Sequence, residues 1–216
     1  CNPNISCARQ GFTPYSAPMP DWLQVILLGV IEGITEFLPI SSTGHLLLAE
    51  KWIGERPEHF TIFIQSGAVL AVLAVFRERV VELMEKWREM ETQDYLKKLG
   101  FSFVLTGFGG MALKKMGWEL PNESTPIAWA LLIGGAMFVA FELHHRKKTK
   151  ITETKKTIPD ITWTIAIAFG VAQLIAMVFP GASRSGTTIL IGLILGMHRR
   201  EAVEFSFLLG VPTLLA

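Results

Sequence analysis

Two short polar stretches interrupt an otherwise apolar chain, and between them they hold the residues able to do chemistry. The first is Glu32-Gly33-Ile34-Thr35-Glu36-Phe37-Leu38-Pro39-Ile40-Ser41-Ser42-Thr43-Gly44-His45. Its carboxylates, Glu32 and Glu36, are four residues apart and so share one face of a helix. Paired carboxylates are hard oxygen ligands suited to Mg²⁺ or Ca²⁺, which keep coordination positions open for water and phosphate oxygens. Ser41-Ser42-Thr43 has the composition of a helix N-cap; Ser42 is also a candidate nucleophile, and Ser41 and Thr43 are candidate phosphate ligands. His45, close to both acids and the serines, fits a proton-transfer group. A hydrogen-bonded core histidine is the plainer alternative.

The second stretch is Pro180-Gly181-Ala182-Ser183-Arg184-Ser185-Gly186-Thr187-Thr188. Small residues let the backbone approach a ligand, and the helix that follows offers its first N–H groups to an anion. Ser183, Ser185, Gly186 and Thr188 are therefore candidate phosphate contacts, and Arg184 adds a planar fork that matches phosphate. An arginine in a bend between apolar runs needs an anion, which is either phosphate or one of Glu32 and Glu36. Gln173 can lend an amide to the same cluster or serve helix packing.

These stretches are related. Gly29 to Ile34 lies over Gly170 to Ile175 at an offset of 141 residues, Pro39 over Pro180 and Ser42 over Ser183 without a gap. His59-Phe60-Thr61-Ile62-Phe63 lies over Glu204-Phe205-Ser206-Phe207-Leu208 at nearly the same offset. A duplication that carries polar, Gly/Pro-interrupted segments at matching positions points to the place where substrate binds.

Half of the residues are hydrophobic and mean hydropathy is +0.39, with apolar runs at 22–38, 61–76, 99–113, 127–143, 161–179, 187–197 and 205–216. Their lack of polar faces argues against a soluble bundle. Several are shorter than the roughly 20 residues of a full span. The expected fold is therefore all-α, a polytopic membrane protein of two inverted repeats, each a re-entrant helix hairpin followed by transmembrane helices. The hairpins fall at 22–38 with 43–53 and at 161–179 with 185–197. Lys and Arg number 20 and concentrate in 77–98, 146–156 and 199–200. The positive-inside rule places these segments in the cytoplasm, so the first hairpin starts and ends outside and the second inside. Lys114 and Lys115 sit against this pattern and would snorkel.

The organisation that follows is a polar tail at 1–21, repeat one at 22–145, a cytoplasmic linker at 146–160 and repeat two at 161–216. The tail lacks the basic start and apolar core of a signal peptide, and Cys1 and Cys7 have no metal-like companions. By the length of repeat one, repeat two is expected to continue for about 70 residues, or two helices, past Ala216. A net charge of +1 gives no reason to expect nucleic acid. A homo-oligomer is left open.

The acidic stretch at 32–45 and Pro-Gly-Ala-Ser-Arg-Ser-Gly-Thr-Thr at 180–188 resemble the two signature motifs of the bacterial undecaprenyl-pyrophosphate phosphatases, the bacitracin-resistance family. Ile64-Gln65-Ser66-Gly67 and the segment from Glu204 are also similar to the family pattern, and the likeness runs over about 22–216. Gly107-Phe108-Gly109-Gly110 departs from it, standing where the family carries an Ile-Pro bend. The resemblance implies a multi-pass enzyme of the bacterial plasma membrane with its site open to the outer face. Such an enzyme takes a polyprenyl pyrophosphate lipid, removes the terminal phosphate with a divalent cation, and so regenerates the lipid carrier for peptidoglycan synthesis.

In that reading Glu32 and Glu36 hold the metal, Arg184 and the amides near Ser183 to Gly186 grip the phosphate, Ser42 or a metal-activated water attacks phosphorus, and His45 moves the proton. The polyprenyl tail lies in an apolar groove between the hairpins. A transporter of a lipid phosphate shares the broken helices and the midplane site, and is the alternative. A non-catalytic scaffold has little use for two acids, a histidine and an arginine at membrane depth.

Overall fold

The computed structural model describes residues 19–54, 56–117, 124–145, 161–179 and 181–215, and its regular elements among them are helices alone. They are α1 (Asp21–Phe37), α2 (Ser42–Ile53), α3 (Glu58–Val75), α4 (Arg77–Glu85), α5 (Met90–Lys115), α6 (Ser124–His145), α7 (Trp163–Val178), α8 (Arg184–Ile194) and α9 (Arg199–Leu215). The all-helical expectation holds. The N-terminal tail through residue 18, the loop around Asn122, the basic linker at 146–160 and Pro180 lie outside the described residues.

Both expected helix pairs are present, and each breaks for a local reason. Leu38 precedes Pro39, which disfavours helical backbone at the residue before it, and Leu38 is extended with φ −95° and ψ 144°. The chain then turns through Ser41 at φ 65°, whose hydroxyl accepts a hydrogen bond from the Gly44 N–H and caps α2. After α7 the same device recurs: Ser183 sits at φ 54° and accepts from the Gly186 N–H at 3.1 Å. Among the described residues these two serines are the only non-glycines with positive φ. Left-handed backbone is costly for a serine, and in both places the cap bond to a helix start offsets it.

The caps correct the gapless register read from the sequence. Pro39 and Pro180 are 141 residues apart, but Ser41 and Ser183, the true cap partners, are separated by 142. The second bend therefore holds one extra residue. Gly181 absorbs it at φ +100°, against α6, where a Cβ would stand 2.7 Å from the Ile127 carbonyl oxygen. Ser42 is thus the counterpart of Arg184, not of Ser183: each is the first residue of its return helix.

The core is built by α5, α7 and α9. Phe205 makes T-shaped contacts with Phe169 and Tyr95 at centroid distances of 4.9 and 5.6 Å, with Ala202 and Leu209 packed beside them. Ser102 Oγ donates to the Ala166 carbonyl at 2.7 Å and Thr106 Oγ1 to the Gly170 carbonyl at 3.3 Å, so α5 and α7 are joined by polar contacts at closely approaching backbones. Small and hydroxylated residues of this kind suit helix association in lipid, where apolar area alone gives no driving force.

By contrast α6 packs lightly against α2 and α8, is tied to α9 by the Arg199–Glu142 ion pair, and leaves Trp129, Leu132, Ile133 and Leu143 exposed. Its Thr125–His144 is the single helix among the described residues long and apolar enough to cross a bilayer alone. The pair His59–Val75 and Arg77–Glu85 passes the same test only jointly and is bent by 70°. The bend was not foreseen: from the sequence 77–98 was marked only by its Lys and Arg content, whereas α4 is a helix that turns away from α3.

Substituting Gly181→Ala adds both a strained φ and a clash with the Ile127 carbonyl, each on the order of 1–3 kcal/mol. The detergent-purified protein is expected to unfold at lower temperature in a thermal-shift assay. Gly29→Ala, in a helix with nothing within 4 Å of the new methyl, is not expected to lower it.

Candidate active site

The two bends meet at one carboxylate. Glu36, in the last turn of α1, is buried, and its two oxygens are used separately. Oε2 accepts from Ser42 Oγ at 2.8 Å, and Oε1 accepts from Arg184 Nη2 in a short ion pair. The first residues of the two return helices, one a hydroxyl and one a guanidinium, therefore converge on the same acid. The pairing anticipated as the plain alternative for Arg184 is present, yet it engages one prong only. Nη1 is buried with no hydrogen-bond partner. The guanidinium lies over Gly210 of α9, where a Cβ would come within 2.5 Å of Nη1.

One turn back on the same face of α1, Glu32 is fully buried and both of its carboxylate oxygens lack a partner. A buried carboxylate left in this state is costly unless a cation or donor completes it. The described residues hold no cluster of three or more His, Cys, Asp or Glu suited to a metal. Two carboxylates still fit Mg²⁺, which commonly binds through one or two acids and fills its remaining positions with water and substrate phosphate. The donor set suits a hard cation at Glu32 with Glu36 beside it.

The other singled-out residues divide into two sets. Ser185 is buried with its hydroxyl 3.3 Å from Ser183 Oγ, beside Arg184. Ser41 and Ser183 spend their hydroxyls on the Gly44 and Gly186 amides, so Gly186 N–H is already satisfied by its cap. Thr188 turns away: its hydroxyl lies 2.5 Å from Ser206 Oγ on α9 and donates to backbone carbonyls one turn back. Thr43 is exposed.

Gln173, the counterpart of Glu32, accepts from Thr213 Oγ1 at 3.4 Å and leaves its buried Nε2 without a partner. His45 Nδ1 donates to the Ser41 carbonyl at 2.8 Å, since a carbonyl can only accept, which leaves Nε2 as the acceptor nitrogen of the neutral ring. His45 also lines an apolar groove of about 460 Å³ with Ile31, Ile34, Leu48 and Trp52. That groove runs between α1 and α2.

Sequence reading missed the supports on α9. Ser206 and Gly210 hold Thr188 and make room for Arg184, and Thr213 holds Gln173. Ser206 did fall in the repeated segment at 204–208, but nothing in its spacing marks it as a partner of Thr188.

With this geometry in view, the profile of the family described as Bacitracin resistance protein BacA matches residues 25–216. The chain belongs to the BacA family. Both bends lie inside the match. Among curated relatives, the undecaprenyl-diphosphatase of Rhizobium etli is 49% identical over 197 residues, 91% of this chain and 72% of the relative. That of Xylella fastidiosa is 47% identical over 193 residues, covering 88% and 70%. The Xanthomonas euvesicatoria protein of the same name is 45% identical over 199 residues, covering 92% and 72%.

Arg184→Lys keeps the charge but cannot hold Glu36 and a second anion from one planar group. Phosphate release is expected to fall on the order of 10²-fold in the Lys variant, measured on purified protein that elutes as wild type in gel filtration. Near wild-type turnover would show that the fork is not needed.

Proposed function

We propose that this chain hydrolyses undecaprenyl pyrophosphate to undecaprenyl phosphate and inorganic phosphate, recycling the lipid carrier for cell-wall synthesis and so contributing to bacitracin resistance. Membership of the family carries the reaction. The single observation that carries the site is the Glu36 carboxylate shared by Ser42 and Arg184, one from each bend. A phosphoryl group of high charge needs positioning and neutralisation more than covalent assistance, and this arrangement supplies a nucleophile, a base and a cation within one cluster.

In the proposed reaction Arg184 turns its unpartnered Nη1 to an oxygen of the terminal phosphate, assisted by the first amides of α8, Ser183 and Ser185. Ser41, Thr43, Gly186, Thr188 and Gln173 complete the phosphate environment or hold its walls. A divalent cation, Mg²⁺ or Ca²⁺, held by Glu32 with Glu36 beside it, neutralises pyrophosphate charge when bound. The 2.8 Å contact to Glu36 supports Ser42 over water as the attacking group, because a serine route requires a base in hydrogen-bond reach. Ser42 Oγ forms a bond to the terminal phosphorus as its proton passes to Glu36. The bond to the bridging oxygen breaks and the lipid phosphate departs as its anion. Water then attacks the phosphoserine phosphorus, His45 Nε2 accepting a proton from that water while Glu36 returns its proton to Ser42 Oγ, and inorganic phosphate leaves. The tail lies in the groove beside His45.

The exposed apolar helices support a multi-pass placement in the bacterial inner membrane. The distribution of Lys and Arg supports two inverted repeats with re-entrant hairpins and a site open to the outer face. The lipid-phosphate transporter is set aside, since the relatives are named as diphosphatases.

Two measurements test this reading. Purified protein given a polyprenyl pyrophosphate is expected to release inorganic phosphate and to stop with chelator. Glu32→Gln is expected to need at least about tenfold more divalent cation for half-maximal rate. Unchanged cation titration would remove Glu32 from the metal.

For topology, single cysteines near residues 90 and 152 are expected to resist a membrane-impermeant thiol reagent in intact cells, while one near residue 122 reacts. Labelling at 90 or 152 would overturn both the orientation and the inverted arrangement.

A further inference from the structure

Helix α4 has three chemically distinct faces, and one of them is largely exposed among the described residues. At 100° per residue, positions spaced by four and then three share a face. Arg79, Leu83 and Lys86 form the inward strip. Arg79 Nε meets Glu204 at the start of α9 at 2.7 Å, and its guanidinium stacks over Tyr95. Glu78, Glu82 and Glu85 form an acidic strip, of which Glu82 is tied to Arg79 and Lys86. The third strip is Arg77, Val81 and Met84, and Trp87 and Arg88 follow in the turn after the helix. Val81, Met84 and Trp87 are 49%, 69% and 55% exposed, and the Arg88 guanidinium sits 5.0 Å over the Trp87 ring.

We propose that α4 is an interfacial helix that lays its Arg77–Val81–Met84 strip, with Trp87 and Arg88, onto the phosphate-bearing surface of the bilayer. The proposal rests on the membrane placement given above. Three observations carry it. First, α4 leaves α3 at 70°, so if α3 runs along the bilayer normal then α4 runs close to the membrane plane. Second, the apolar residues of the free strip are flanked by two arginines, and this order suits an apolar face in the headgroup region with guanidiniums at phosphate level. Third, the carboxylates are gathered on a separate strip, away from the anionic surface, where charge complementarity would put them. Trp at the boundary has the amphipathic ring that headgroup regions favour. The same helix reaches α9 through Arg79, so its seat on the membrane is fixed to the helix that lies against Arg184.

The test uses the full chain with Cys1 and Cys7 changed to Ser, reconstituted in phosphatidylglycerol–phosphatidylcholine vesicles. Nitroxides are attached at Met84→Cys, Glu85→Cys and, on exposed α6, Ile133→Cys. Collision with oxygen, which partitions into lipid, is compared with collision with a water-soluble nickel complex. Labels at 84 and 133 are expected to collide several-fold more with oxygen, and the label at 85 more with nickel. If 133 reports lipid but 84 behaves as 85 does, the interfacial seat is wrong while the membrane placement stands. If 84 is shielded from both reagents, protein covers this strip and the proposal fails. Should 133 itself report water, both readings fall together.

Discussion

The carboxylate of Glu36 is the constraint on which the rest depends. Placing a charge among apolar helices costs several kcal/mol unless it is paired and hydrogen-bonded. Here the pairing partners come from separate parts of the chain: Ser42 lies six residues away and Arg184 lies 148 away. Satisfying this one acid forces the start of α8 against the end of α1, and so closes the two halves of the molecule on each other. Glu32, with no such partners, remains a buried acid with both carboxylate oxygens unpartnered among the described residues. The contrast distinguishes the two carboxylates: one gathers protein groups from both bends, and the other keeps two unpartnered oxygens.

The positions of Ser42 and Arg184 depend in turn on two serines held in left-handed backbone. Without the cap at Ser41, α2 would begin elsewhere and Ser42 would not lie at its first position; Ser183 does the same for Arg184. Strain is kept at these corners and offset by helix N-H groups that would otherwise lack acceptors. Helix α9 then backs the second corner. Its Ser206 shares a hydrogen bond with the Thr188 hydroxyl, and the missing side chain at Gly210 leaves space for the guanidinium. Arg79 bonds Glu204 at the beginning of the same helix, so a charged contact at one end of α9 and a close approach near its other end both bear on one arginine.

Much of this was legible in the residues. Short apolar runs ending at prolines dictated two broken helix pairs, and the four-residue spacing of Glu32 and Glu36 dictated a common face, because helix geometry and the proline restriction act within a few residues. Composition determined an all-helical chain with few polar faces. The duplicated motifs pointed to the two bends, and the structure brings Ser42 and Arg184 from them onto Glu36.

Tertiary structure alone decided how those groups divide. Nothing in the spacing says that Arg184 meets Glu36 and not Glu32, that Thr188 turns to Ser206, or that His45 bonds the Ser41 carbonyl beside an apolar groove. These are choices among side-chain directions that depend on helix rotation and on neighbours far away in sequence. The one-residue insertion at Gly181 was hidden for a related reason, since matched prolines mark where a helix ends but only backbone angles show where the next one is capped. Helix α4 escaped notice because its charges were read only as a topology signal, and the sorting of its faces shows only once the helix is formed. Local rules set which elements form; the cost of burying a charge set how they come together.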